Sequence, residues 1–210
     1  MKLVVLISGR GSNLQAILDA GLPVEVAAVL SNRKSAAGLQ LAEARGIPAH
    51  SLAHTEFPDR AEFDQAMMRV IDGYAPDLVV LAGYMRILSD AFVQHYAGRL
   101  INIHPSLLPS YPGMDTHARA LADGVKIHGC TVHLVTPVLD RGPVIVQAAV
   151  AVRSDDTAET LGARVLAAEH KIYPLAIRWF AERRLVFGDD GKVNLLNDEG
   201  SEQSVFYPGA

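Results

Sequence analysis

Short, nearly unbroken apolar runs alternate along the chain with longer stretches whose apolar residues recur every three to four positions. Runs at residues 3–8, 24–30, 78–82 and 100–104 have strand length and little polar alternation, the pattern of strands buried on both faces of a parallel sheet. Between them the spacing predicts helices at 13–20, 36–45, 60–72 and 90–96. This alternation predicts an α/β fold, an open, mostly parallel, twisted sheet with helices on both faces.

The texture changes after His104. Residues 105–113 contain Pro105, Pro109 and Pro112, and each proline removes a backbone donor, so the segment is neither helix nor central strand. A short helix is expected over 116–123. Strand-like runs at 127–135 and 144–152 flank the turn 136–143, a connection short enough for an antiparallel pair, so the sheet is expected to be mixed. Asp156-Thr157-Ala158-Glu159 resembles a capping box opening a helix that reaches about Trp179, with Pro174 as a point of bending. From Gly188 onward the chain turns polar, with a last strand expected at 193–196 and nothing folded beyond about Asn197. No repeat or linker divides it. The reading is one domain over residues 1–187, with 188–210 as its polar C-terminal tail.

Composition narrows the classes. With 210 residues, half of them hydrophobic, there is ample material for a core. The formal charge of −4 speaks against nucleic-acid phosphates as partner. The single cysteine rules out an internal disulfide and a multi-cysteine zinc site, and suits a reducing, cytoplasmic compartment. No apolar run reaches membrane-span length, and the opening run ends too early for a signal peptide. Four of the eight histidines fall between 104 and 133, which invites a metal reading. Strand parity opposes it, since His128 and Cys130 share one face of their strand and His133 takes the other. No metal is expected, and His50, His54 and His95 read as surface or loop residues.

Three segments carry candidate chemistry. Ser8-Gly9-Arg10-Gly11-Ser12-Asn13 is a glycine-rich strand-to-helix turn, suited to closing backbone N–H groups on an anion at a helix N-terminus, or simply a tight turn with a cap. Leu14 occupies the third glycine position of the dinucleotide fingerprint, and no Gly-Lys-Ser/Thr follows, so a single phosphate is favoured over NAD or ATP. Asn102 and His104 project to one side at the carboxyl end of a buried strand, where open α/β sheets place ligands. An amide donor beside an imidazole suits a carbonyl that becomes an oxyanion. Gly83-Tyr84-Met85-Arg86-Ile87-Leu88 is an apolar ledge for a flat heteroaromatic ligand, or a loop packed on the core. Asp140 by itself reads as a turn residue.

The stretches 7–17, 81–88, 102–109, 139–145 and 169–174 closely resemble, in order, the phosphoribosylglycinamide formyltransferase family, the folate-dependent enzymes of de novo purine synthesis. The Asn-x-His-Pro-Ser-Leu-Leu-Pro stretch is shared across the wider formyltetrahydrofolate-using superfamily, while Ser-Gly-x-Gly-Ser-Asn singles out the glycinamide ribonucleotide enzymes. The resemblance runs from residue 3 to about 187 and implies a Rossmann-like formyltransferase fold. It implies Asn102, His104 and Asp140 as the catalytic trio, and Gly11, Ser12, Asn13 and Glu169 as contacts to the ribonucleotide. It further implies Arg60, Met85, Arg86, Ile87, Leu88, Asn102, Thr136, Pro137, Val138, Leu139 and Asp140 as contacts to 10-formyltetrahydrofolate, the co-substrate. The implied activity moves a formyl group between small molecules, in a monomer or homodimer, with no nucleic-acid or membrane partner. Arg141 stands where relatives commonly carry glycine, and is expected to pair with Asp140 or with a folate carboxylate. At this length, the RNA-binding domain of the tRNA formyltransferases and the regulatory domain of the deformylases are not expected.

Overall fold

The computed structural model describes residues 1–188, 190–197 and the backbone of 204–207. They divide into two compact units, Met1–Asn102 and the chain from Ile103 onward.

The first unit opens with β1 (Lys2–Ile7), followed by α1 (Ser12–Asp19), β2 (Glu25–Ser31), α2 (Ala37–Ala44), β3 (Ala49–Ser51), α3 (Arg60–Asp72), β4 (Leu78–Leu81), α4 (Asp90–His95) and β5 (Leu100–His104), whose last two residues open the second unit. The β1 strand pairs in parallel with β2 and with β4, β2 with β3, and β4 with β5, giving the order β3-β2-β1-β4-β5. Leu3, Val4, Val5, Leu6 and Ile7 have no exposed surface, nor do Leu78, Val79 and Val80. Each such side chain contributes about 1.5–3 kcal/mol on burial, which explains why these runs lack alternation. The strand β3 and the 3-10 turn His54–Glu56 were not predicted. Three residues paired on one side only carry no periodic signal.

The second unit contains α5 (Thr116–Ala122), β6 (Ile127–Leu134), β7 (Val144–Ala151), the long helix α6 (Ala158–Ala181), β8 (Leu185–Phe187), β9 (Val193–Leu195) and β10 (Ser204–Tyr207). The β6 and β7 strands are antiparallel, as the short turn predicts, and their register slips between Val132 and His133. With the parallel strands of the first unit, this makes the fold a mostly parallel, mixed α/β fold. Two expectations need correction. The capping box is built one residue later, on Thr157 and Thr160, because the Thr157 side chain accepts from Thr160 N and the Thr160 hydroxyl accepts from Thr157 N. The helix expected to reach about Trp179 is present as α6, running through Pro174 to Ala181. The chain also folds beyond Asn197, where β10 pairs in parallel with β7; the strand expected at 193–196 is β9, in a hairpin with β8.

Candidate active site

In the first unit, the carboxyl ends of the strands are tied together by one hydroxyl. Ser8, just past β1, donates to Asn32 Oδ1 (2.6 Å) and accepts from Met85 N (2.8 Å). The turn that follows depends on two glycines. Gly11 caps α1 in left-handed backbone at φ 80°, and a methyl group there would meet Gly38 Cα at 2.8 Å. Gly38 N in turn donates to Gly9 O at 3.1 Å. Gly11 offers no side-chain cap to α1 and no acidic residue stands in its first turn, an arrangement in which the helix dipole favours negative charge. Ser12 is half-buried, Asn13 is buried and Arg10 is exposed.

The ledge after β4 is held from beneath by α3. Met85 and Ile87 are 55% and 60% exposed, an unusual placement for large apolar side chains and one a flat ligand would cover. Arg86 lies over the Phe63 ring at 4.9 Å. Ser89 N donates to Asp64 Oδ2 at 2.6 Å, and Asp64 is only 1% exposed. Arg60, the first residue of α3, is exposed.

The proton chemistry is concentrated in the second unit. Along β5, Asn102 and His104 fall on one strand face, and His104 is buried. Its Nε2–H donates to the Tyr111 carbonyl (2.9 Å), which leaves Nδ1 facing Asp140 Oδ2 at 3.6 Å. That separation is longer than a hydrogen bond. Asp140 Oδ2 also accepts from Gly113 N (2.8 Å). The residue has left-handed backbone, φ 53°, in the turn between β6 and β7. That turn is closed by Leu134 N donating to Pro143 O (2.9 Å), and Gly142 lies so close to the Leu134 carbonyl that no Cβ fits. Thr136 Oγ1 donates to Val138 O within the turn. Val138 and Leu139 are exposed, and a cavity of about 580 Å³ opens beside Asp140, Arg141 and Lys192. Among the described residues, the ion-pair partners of Asp140 are histidines. Arg141 is exposed and, among the described residues, forms no ion pair with Asp140, so the first of its two expected partners is not the one it takes here.

The second of those histidines escaped the sequence reading. His133 Nε2 lies 4.0 Å from Asp140 Oδ1, and its Nδ1–H donates to Leu134 O (2.8 Å). Burial lowers its pKa, opposed by the Leu134 carbonyl and Asp140 and assisted by His104. The expected opposition to His128 was a usable hint, but the register slip beside His133 could not be foreseen. His128 instead meets His117, ring nitrogen to ring nitrogen at 3.2 Å, and burial, with the His117 charge, takes it down to about 4. Glu169, on α6, is buried, and its charge adds to burial in raising the Cys130 thiol. Among the described residues no group of three metal-ligating side chains converges.

The chain belongs to the formyl transferase family, whose pattern matches residues 1–177. It is 56% identical over 189 residues to the phosphoribosylglycinamide formyltransferase of Escherichia coli (strain K12), covering 88% of this chain and 89% of that one. The structure of phosphoribosylglycinamide formyltransferase from Coxiella burnetii matches with a TM-score of 0.91 at 50% identity, over 99% of both chains. A more distant structure, a formyltetrahydrofolate deformylase from Pseudomonas syringae pv. tomato, matches with a TM-score of 0.86 at 30% identity, over 93% of this chain and 66% of that one.

Proposed function

We propose that this protein transfers the formyl group of 10-formyltetrahydrofolate to the amine of 5-phosphoribosylglycinamide, a step of purine biosynthesis. The observation that carries this reading is His104, fixed through Nε2 by the Tyr111 carbonyl with Nδ1 turned to Asp140, in a chain 56% identical to the E. coli enzyme. The glycinamide nitrogen attacks the formyl carbon, and the carbonyl electron pair moves onto oxygen. Asn102 and the charged imidazole of His104 donate to that oxyanion, and Asp140 holds the imidazole charge. The attacking amine's proton passes to the Asp140 carboxylate and from it to the folate nitrogen, as the oxyanion pair re-forms the carbonyl and the bond from that nitrogen to the formyl carbon breaks. Formylated ribonucleotide and tetrahydrofolate leave, with no covalent enzyme intermediate.

The substrate contacts follow the same reading. Gly11, Ser12 and Asn13 take the ribonucleotide phosphate at the start of α1, and Glu169 takes the same substrate. Arg60 and residues 85–88 contact formyl-folate, as do Thr136, Pro137, Val138 and Leu139. The exposed apolar side chains of Met85, Ile87, Val138 and Leu139 support a flat, partly apolar ligand.

The test follows formyl-folate absorbance with glycinamide ribonucleotide present or absent. Turnover that requires the ribonucleotide supports the proposal. Folate consumption without it would make the protein a deformylase, and no turnover in either case would overturn transfer to this ribonucleotide in favour of a tRNA formyltransferase or a non-catalytic phosphate-binding module.

A further inference from the structure

The loop between the proline segment and α5 supports the reacting pair through its main chain. Tyr111 O accepts from His104 Nε2 and Gly113 N donates to Asp140 Oδ2. Yet the loop has no regular structure, and Tyr111, Gly113 and Asp115 take left-handed φ values of 54°, 79° and 56°. That conformation is unfavourable for residues with a Cβ, so side chains must hold it in place. At the near end, the Ser106 hydroxyl donates to Ser110 O (2.6 Å) and Tyr111 O (3.2 Å). At the far end the work falls to Arg119 on α5. Its Nη1 donates to Pro112 O (2.7 Å) and Met114 O (3.2 Å), and its guanidinium sits 5.5 Å from the Tyr111 ring centroid. These are the carbonyls on either side of Gly113, and among the described residues both accept from Arg119.

We infer that Arg119 is a positioning residue for formyl transfer: by clamping the carbonyls that flank Gly113 it keeps the Gly113 N–H on Asp140 and the Tyr111 carbonyl on His104. It touches neither reacting group and acts wholly through the loop. A planar guanidinium suits the task because it stacks on Tyr111 while reaching two carbonyls. An ammonium, a point donor on a flexible stem, does only part of this. The inference rests on the formyl-transfer reading of the site.

The test compares Arg119→Gln, Arg119→Lys and the unaltered full-length protein in two measurements. In the formyl-folate assay, Arg119→Gln should lower kcat by up to about a hundredfold, the scale of misplacing catalytic groups by an ångström. KM for both substrates should stay within about twofold, because binding contacts are untouched. Arg119→Lys should fall between the two. In ¹⁵N-correlated NMR, the Gly113 amide proton, bonded to a carboxylate in the unaltered protein, should move upfield in Arg119→Gln and partly return in Arg119→Lys. Wild-type kcat in a folded Arg119→Gln, a change confined to KM, or an unmoved Gly113 amide would each overturn the clamp. Should Arg119→Gln not fold, Arg119→Lys alone decides: a wild-type kcat and amide shift refute the inference. Should the unaltered protein show no ribonucleotide-dependent turnover, formyl transfer fails as a reading, and the amide shift judges the clamp independently.

Discussion

Replacing Gly11 with alanine tests why the turn before α1 is made of glycine. A methyl group at position 11 would stand 2.8 Å from Gly38 Cα and 3.6 Å from Gly38 N. Both are backbone atoms, so no rotamer relieves the clash, and the turn or the start of α2 must move. The backbone at Gly11 also holds φ 80°, which costs an L-residue about 1–2 kcal/mol. Adding about 1–3 kcal/mol for overpacking gives a loss of roughly 2–5 kcal/mol. For a chain of this size that lowers Tm by roughly 5–15 °C. Gly38→Ala is the matched control across the same contact. Its methyl would press on Ile7 Cδ1 at 2.5 Å and on Gly11 Cα at 3.2 Å, but Ile7 Cδ1 ends a rotatable side chain. Helix propensity returns about 0.5–1 kcal/mol, leaving a net loss of about 0–2 kcal/mol by the same overpacking scale. Urea unfolding followed by circular dichroism should therefore rank Gly11→Ala well below Gly38→Ala. KM for the ribonucleotide should rise with the displaced loop while KM for formyl-folate holds. A Gly11→Ala protein within about 0.5 kcal/mol of wild type, or one more stable than Gly38→Ala, would refute the reasoning.

Three further outcomes follow. His104→Ala should lose roughly 10²–10⁴-fold in kcat, the usual share of a general acid–base group, with unchanged circular dichroism; wild-type turnover would remove His104 from the mechanism. Asp64→Ala frees the Ser89 N–H that anchors the ledge, so KM for formyl-folate should rise several-fold with little change for the ribonucleotide; steady-state kinetics with each substrate varied in turn checks this, and a rise confined to the ribonucleotide would sink it. His128 titrates near 6.5 when unfolded and, held down by burial, near 4 when folded. Unfolding thus takes up a proton in that window: the neutral ring's contribution is complete above about pH 6.5 and is lost as pH falls toward 4. Urea midpoints across that range should fall less steeply for His128→Gln, and identical slopes would exclude the residue as the source.

Much of this architecture is legible in the chain because the buried strands are almost wholly apolar. The runs at β1, β4 and β5 show it directly, and the short turn before β7 announces the antiparallel pair. Asn102 and His104 are readable as a pair because strand parity is local arithmetic. What escapes notice is whatever depends on partners far along the chain. His133 reaches Asp140 past a register slip, and Tyr111 and Gly113 contribute main-chain atoms that have no letter in the sequence. The β10 strand lies in a segment read as a polar tail, although Ser204-Val205-Phe206-Tyr207 contains a β-branched and two aromatic residues. Arg119 looks like an ordinary helix-surface cation until the carbonyls it holds are seen.

The left-handed backbone at Asp140 has a consequence for how this protein can be lost. Only glycine, asparagine and aspartate occupy that conformation at low cost. Two separate filters therefore act on one codon. The fold penalises most other replacements by about 1–2 kcal/mol, while only the proposed chemistry distinguishes aspartate from asparagine and glycine, each a single base change away. A lineage released from the need for this activity would pass through those two residues first, leaving a folded and silent protein that no screen for misfolding would detect.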